Sequence, residues 1–329
     1  MQQQLLIIAT LDTKGRVAEY VRGCVRERGV SPILMDIGIL GGPPVYPDIA
    51  NKDLAEAAGY HLEELVKNKD RSSAVKVMQE GGVIVAHRLL QEGKLHGVIG
   101  LGGGTGTAMV THIMRSLPFG LPKLVVSTVA SRDVREFVET KDIVMFHSVA
   151  DLLGLNGFMR HILGQAAHAV CAMMDKGSAI TKERPMIAVT AYGINSQPAV
   201  FAEPLLWEKG YEMIAFHANG CGGMAMEELI AQGLIKGVFD LTPHEIVGQM
   251  FEGFCKGIGP SRFETAGQMG VPLVFAPGGL DNAAYSSPSH PMPEEFAGRR
   301  IYIHDAKILR AHGSPGNEKI RPFYCGETE

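Results

Sequence analysis

The chain has 329 residues, 46% hydrophobic and 20% charged, with a formal net charge of −4; this length suits two domains of about 150 residues each, and the mix excludes a disordered chain. No Lys/Arg run exceeds two residues, so the electrostatic footprint of a nucleic-acid binder is missing, and no apolar run approaches the ~18 residues of a membrane span. The cysteines Cys24, Cys171, Cys221, Cys255 and Cys325 are scattered without CxxC spacing, which argues against structural zinc and reads as reduced thiols of a cytoplasmic protein.

In chain order, the N-terminal stretch through Ile8 has no basic segment and no cleavage site, and reads as a strand rather than a secretion signal. It ends in the polar turn Leu11-Asp-Thr-Lys-Gly15, and a helix is expected over 15–28, closed by Gly29 at the usual place of a C-cap glycine. After a second strand at Ile33–Ile37 comes an insert, about 43–80, holding Pro43-Pro44, Tyr46 and a helix expected over 53–67. An insert at the carboxyl end of a strand suits a lid, a partner-binding arm or a dimer contact. Next come a strand ending at Val98-Ile99, a glycine loop over 100–108, a helix over 109–117, a strand ending at Val126 and a long helix over 155–175. The polar stretch 176–184 then closes the first half.

The second half repeats the first. Ile7–Gly15 matches Ile187–Gly193, each an apolar run ending in a polar turn, and Ile33–Ile37 matches Met213–Phe216. Lys94–Leu101 matches Leu234–Leu241, and Gly120–Val126 matches Gly270–Phe275. Four blocks recurring in order indicate an internal duplication. Continuous apolar strands alternating with helices indicate a parallel sheet covered on both faces. The expected fold is therefore α/β, with two Rossmann-like doubly wound parallel-sheet subdomains at 1–178 and 184–312 and an irregular tail at 313–329. The last strand is expected at Arg300–His304, with no later counterpart of the 155–175 helix.

In such sheets, ligands sit beyond the carboxyl ends of the strands. Gly102, Gly103, Gly104, Thr105, Gly106 and Thr107 follow a strand and open a helix, which suits a phosphate or carboxylate held by backbone amides and the helix dipole. The pattern is neither a Walker A motif nor a clean GxGxxG. At the first strand end, Lys14 suits a phosphate, Asp12 a hydroxyl or a Mg²⁺ ion, and the Thr13 hydroxyl either a ligand or a helix cap. Ser127, Thr128 and Ser131 are short hydroxyls at a third strand end, with Arg132 beside them. In the second half, His217, Gly220, Gly222 and Gly223 form a loop of the same kind near Cys221. His217 and Asp281 are weak acid–base candidates, each with a structural alternative in a local hydrogen bond or turn. Thr242 with Glu245 reads as a capping box. No metal-ligand spacing is present, and His304-Asp305 alone makes no metal site.

Several of these blocks resemble one family: the N-terminal inhibitory, ATP-binding domain of the tomato mosaic virus resistance protein and its uncharacterised bacterial and fungal relatives. The resemblance is carried by Leu11–Gly15, Gly100–Thr107, Val126–Ser131, Asp142–Asn156, Phe216–Gly223, Met226-Glu227 and Pro277–Asp281, across about residues 4–305. It implies a two-subdomain α/β fold, ATP binding and a homodimer, with no well-established reaction. Its nucleotide loops would be Asp12–Lys14, Gly102–Thr107 and Ser127–Ser131. The resemblance implies that family members continue past a position like Arg310 with another strand and helix; Arg310–Glu329 is expected not to match them, and a shortened second subdomain is expected.

Three functions are open at this level. One is an ATP-binding protein, with Mg²⁺ carried by the nucleotide. Its phosphates would lie on Gly102–Thr107 near a cleft between the subdomains, and any turnover would be slow hydrolysis or transfer to a small metabolite. The second is an enzyme of sugar-acid or organic-acid metabolism, with His217, Asp281 or Asp12 doing acid–base work. The third is a small-molecule sensor without catalysis. The expected partner is a small-molecule ligand, not a nucleic acid or a membrane.

Overall fold

A computed structural model describes residues 2–40, 42–68, 70–175, 183–193, 195–286, 291–296, 301–303 and 308–312. The tail 313–329, with Cys325, and the pair His304-Asp305 lie outside the described residues. The chain divides into two compact units, Met1–Ile180 and Thr181–Glu329. Among the described residues, no helix is long and apolar enough to cross a membrane.

The first unit holds β1 (Gln4–Ala9), α1 (Leu11–Glu27), β2 (Ser31–Asp36), α2 (Asn51–Ala57), α3 (Leu62–Lys67) and α4 (Arg71–Gln91). There follow β3 (Gly97–Gly102), α5 (Gly104–Arg115), β4 (Lys123–Ser127), α6 (Arg135–Val138), β5 (Ile143–His147) and α7 (Gly157–Met174). Its five strands are all parallel, in the order β2-β1-β3-β4-β5. Side chains alternate between the faces of a strand, and β1 shows the result. Leu5 and Ile7 join α1 and α7 in one core, while Leu6 and Ile8 join α2–α5 in another. All four are fully buried, each stabilising the fold by about 1.5–3 kcal/mol. Both faces are therefore apolar, and the strand reads as a run rather than an alternation.

The second unit holds β6 (Met186–Ala191), α8 (Gln197–Glu208), β7 (Glu212–His217), α9 (Cys221–Ala231), β8 (Ile235–Asp240), α10 (Glu245–Met250), α11 (Thr265–Gln268) and β9 (Leu273–Phe275). Its parallel sheet runs β7-β6-β8-β9. Each strand holds the place of its sequence match in the first unit, β6 for β1, β7 for β2, β8 for β3 and β9 for β4. The duplication read from four sequence blocks is thus a duplication of sheet order.

Five boundaries differ from the sequence expectation. Helix α1 begins at Leu11 and α5 at Gly104, so the polar and glycine turns are the first turns of helices. The 53–67 segment is two helices, broken at Gly59, whose φ of +83° places it in the left-handed region. Position 80 is no boundary, because it lies inside α4. Arg300–His304 does not contain the last strand. β11 (Ile301–Ile303) and β10 (Asn282–Ser286) flank a further strand, β12 (Ile308–His312), in an antiparallel sheet of order β10-β12-β11.

Candidate functional site

Three helices of the first unit begin at the carboxyl edge of its sheet, and their first turns line one cavity of about 310 Å³. Thr10, Asp12, Thr13 and Lys14 come from α1, Asp70 and Arg71 from α4, and Gly103, Gly104, Thr105 and Gly106 from α5. The remaining wall is apolar: Ile37 and Ile39 after β2, Leu65 and Val66 of α3, Ala74 and Val75 of α4, and Met109 of α5. Part of the insert is therefore a wall of this cavity.

The three helix starts are electrostatically unequal. Every helix start carries amides without intrahelical acceptors and a partial positive charge. At α4, Asp70 caps the amides of Ser72 and Ser73 at 3.0 and 3.2 Å, and hydrogen bonds from Ser73 hold its carboxyl below the usual carboxylate range. At α1, the Leu11 amide donates to Asp36 Oδ1 at 2.9 Å, and Asp12 lies in the first turn. Helix α5 has neither device: its N-cap is Gly103, no side chain caps it, and its first turn holds no acid. The uncompensated positive end facing the cavity is thus that of α5.

The glycines divide into two sets. A Cβ at Gly100 would lie 2.0 Å from Val110 Cγ1, and one at Gly102 2.3 Å from the Thr107 nitrogen. Those two glycines let α5 press onto β3. At Gly103 and Gly106 the nearest atom would be 3.7 Å away, and at Gly104 nothing lies within 4 Å. None of these three has a positive φ. Neither packing nor backbone strain requires glycine there, and what their lack of side chains leaves open is the approach to the α5 amides.

Two polar groups of α1 complete the site. Lys14 is buried, and its Nζ donates to the Leu152 carbonyl at a long 3.5 Å. Asp12 Oδ2 accepts the Leu40 amide at 3.2 Å, whereas its Oδ1 is buried without a hydrogen-bond partner. Behind them Asp36 takes the amides of Leu11 and Gly38. Burial raises its carboxyl above the usual range, against the pull of those two amides.

The other expected residues lie elsewhere. Thr107 and Ser127 are buried, with their hydroxyls 2.7 Å apart, and do not line the cavity. Thr128 stands beside Gly103, its amide donating to the Gly102 carbonyl at 3.2 Å, and Ser131 is exposed. The Thr13 hydroxyl bonds within its own turn, to Thr10.

In the second unit the comparable places are filled by the chain itself. The amides of Gly220 and Gly223, at the start of α9, donate to Glu245 Oε1 at 2.9 and 2.8 Å. A Cβ at Gly222 would meet the His217 carbonyl oxygen, so that glycine serves a tight turn. Glu245 makes no capping box with Thr242: the N-cap of α10 is His244, and Thr242 instead bonds Thr190 and Asn195. Next to β6, Tyr192 is stacked between His217 and His244, ring centroids 5.1 and 4.4 Å away. His217 is exposed at the end of β7. Asp281 is exposed and accepts a hydrogen bond from Asn282 at 3.1 Å. Cys24, Cys171, Cys221 and Cys255 are not joined in disulfides. Among the described residues, no three His, Cys, Asp or Glu side chains are grouped to hold a metal.

Residues 3–179 match the N-terminal domain, and residues 184–319 the C-terminal domain, of the uncharacterised protein family UPF0261. The chain belongs to the UPF0261 family. A UPF0261 protein of Clostridium tetani is 40% identical over 309 residues, covering 94% of this chain and 76% of that protein. One from Rhizobium meliloti is 35% identical over 313 residues, covering 95% and 77%. The ToMV susceptible protein tm-1(GCR26) of Solanum lycopersicum is 34% identical over 260 residues, covering 77% of this chain and 34% of that protein. The motif resemblance noted in the sequence is a true family relationship.

Reading this UPF0261 sequence residue by residue missed Asp70 and Arg71 at the cavity and Asp36 behind it. Asp36 had a usable signal: an acid at the end of the second strand is where a Rossmann fold keeps its ribose-binding carboxylate. Here that carboxylate is turned onto amides. Asp70-Arg-Ser-Ser73 also had one, an Asx residue ahead of a long helix.

Proposed function

We propose that the first unit binds a phosphorylated small molecule in the cavity between α1, α4 and α5, with ATP as the first candidate. The observation that carries this is the start of α5. It is glycine-built, uncapped and free of acid, and it faces a cavity large enough for a small ligand. Backbone amides at such a start prefer an anion of phosphate type. Lys14 is the cation beside them, buried with a single long contact of its own. The unpartnered Asp12 Oδ1 suits a ligand hydroxyl or a Mg²⁺ ion carried by the nucleotide. Ile37, Leu65, Val75 and Met109 offer an apolar wall to a base. The resemblance of the motifs to an ATP-binding family points the same way. As a member of that family the protein would also be a homodimer.

The test is calorimetry and thermal melting with ATP and Mg²⁺. A saturable heat and an upward melting shift are expected, both lost in Gly103→Asp, which puts a carboxylate where the phosphate would lie. No heat and no shift at millimolar nucleotide would end the proposal.

A further inference from the structure

We infer that the start of α9, together with Arg262, is an oxyanion site that the chain fills with its own carboxylate, Glu245. The inference concerns the second unit and does not depend on what the first unit binds. Glu245 side-chain oxygens accept from three donors on two parts of the chain: the amides of Gly220 and Gly223 at 2.9 and 2.8 Å, and Arg262 Nε at 2.9 Å. Two amides and a guanidinium converging on one carboxylate is how proteins hold a free carboxylate or phosphate ligand. The carboxylate comes from outside α9: Glu245 opens α10, while the amides it takes open α9.

The donors are built around an anion rather than around Glu245 alone. Arg262 is buried, and its Nη1 reaches Asp240 at 2.6 Å and Glu227 at 3.4 Å. Its Nη2 is buried with no hydrogen-bond partner. The guanidinium therefore brings more donor capacity than the carboxylates around it use. At Gly223 a Cβ would meet Glu245 Oε2 and lie 2.6 Å from Arg262 Nε. Glycine is required there because an oxyanion is seated against the backbone. In the first unit the α5 start offers amides to a cavity; in the second the α9 start offers them to a residue of the same chain.

If the site recognises the oxyanion itself, a detached one replaces the side chain. Glu245→Ala removes Cγ and the carboxylate, which together are the size of acetate. Melting of the full chain carrying Glu245→Ala would be followed in sodium acetate and in sodium chloride of equal ionic strength. Wild type and Glu245→Gln, which keeps the space filled, run alongside. A ligand that binds only the folded state raises its melting temperature. We expect acetate to raise the melting temperature of Glu245→Ala by several degrees beyond chloride, with no such difference in wild type or Glu245→Gln. Should Glu245→Ala not fold in chloride, refolding in acetate should restore soluble protein with native circular dichroism. Equal behaviour in acetate and chloride, or an equal acetate effect in all three proteins, would overturn the inference.

Discussion

Thr107 and Ser127 close on each other, hydroxyl to hydroxyl at 2.7 Å, in the buried seam between α5 and β4. Both stand in loops that sequence reasoning gives to a ligand, yet this bond turns them into the protein. Ser127 Oγ also accepts the Val129 amide at 3.1 Å. Thr107→Val strands a buried hydroxyl and should cost about 1–3 kcal/mol. Thr107→Val with Ser127→Ala should cost less than the sum of the two single changes, because both remove the same hydroxyl–hydroxyl bond. Denaturant unfolding of the four proteins measures this, and strict additivity would count against the pairing. Ligand affinity should be the same in all four.

Gly103→Asp separates stability from binding. The N-cap position favours Asp, by a few tenths of a kcal/mol over Gly, and a Cβ at Gly103 comes no nearer than 3.7 Å to any atom. The variant should therefore melt at or slightly above the wild-type temperature. The same carboxylate would take the α5 amides and repel a phosphate, so the melting shift with ATP should vanish. A variant that still binds would mean that the α5 start is not where the anion lies, and a destabilised one that Gly103 is needed for packing.

Lys14→Met tests the cation. A buried ammonium with one contact at 3.5 Å contributes little to the fold, and removing it avoids a desolvation cost. Stability should hold or rise. Phosphate affinity, read by calorimetry, should fall about tenfold or more, since charge-assisted bonds contribute ~1.5–3 kcal/mol. Unchanged affinity would remove Lys14 from the site.

The duplicated sheet was legible because burial on both faces forces unbroken apolar runs such as Leu5–Ile8, and those runs recur in order. The helix starts were not. Leu11–Gly15 and Gly103–Thr107 carry the residues of loops, yet in both places the chain passes from strand to helix within one or two residues. Whether a glycine serves packing or access was also hidden: Gly102 and Gly103 are neighbours, and only the position of α5 tells them apart. Glu245 and Arg262 are 17 residues apart and meet α9 only through the tertiary fold. No spacing in the sequence announces such a meeting.

Gly223→Ala should be among the most damaging small substitutions in the second unit. The added methyl would collide with the Glu245–Arg262 contact, and both residues are buried. Breaking a buried ion pair while its charges stay inside costs about 3–5 kcal/mol. By contrast Gly104→Ala, with nothing within 4 Å, gains helix propensity and should be neutral or stabilising. Chemical denaturation of the two variants should differ by several kcal/mol, and similar values would contradict the packing at Gly223.

The same cluster sets a pH dependence. Glu227, Asp240 and Glu245 all reach Arg262, so three carboxyl groups meet one guanidinium in a buried space. Burial raises the Glu245 carboxyl above the usual glutamate range, although Arg262 and the amides of Gly223 and Gly220 pull it down. Between the ordinary glutamate value and that raised value, the folded chain holds more proton than the unfolded one. Stability contributed by this residue therefore falls as pH rises through that window, and is level above it. Asp36, also raised by burial, adds a slope of the same sign, so the comparison must be with Glu245→Gln, which keeps Asp36 and removes one titration. Unfolding free energy measured across the window should decline more steeply with pH in wild type than in Glu245→Gln. Parallel curves would mean that Glu245 titrates alike in both states, and that the burial of its charge is compensated in full.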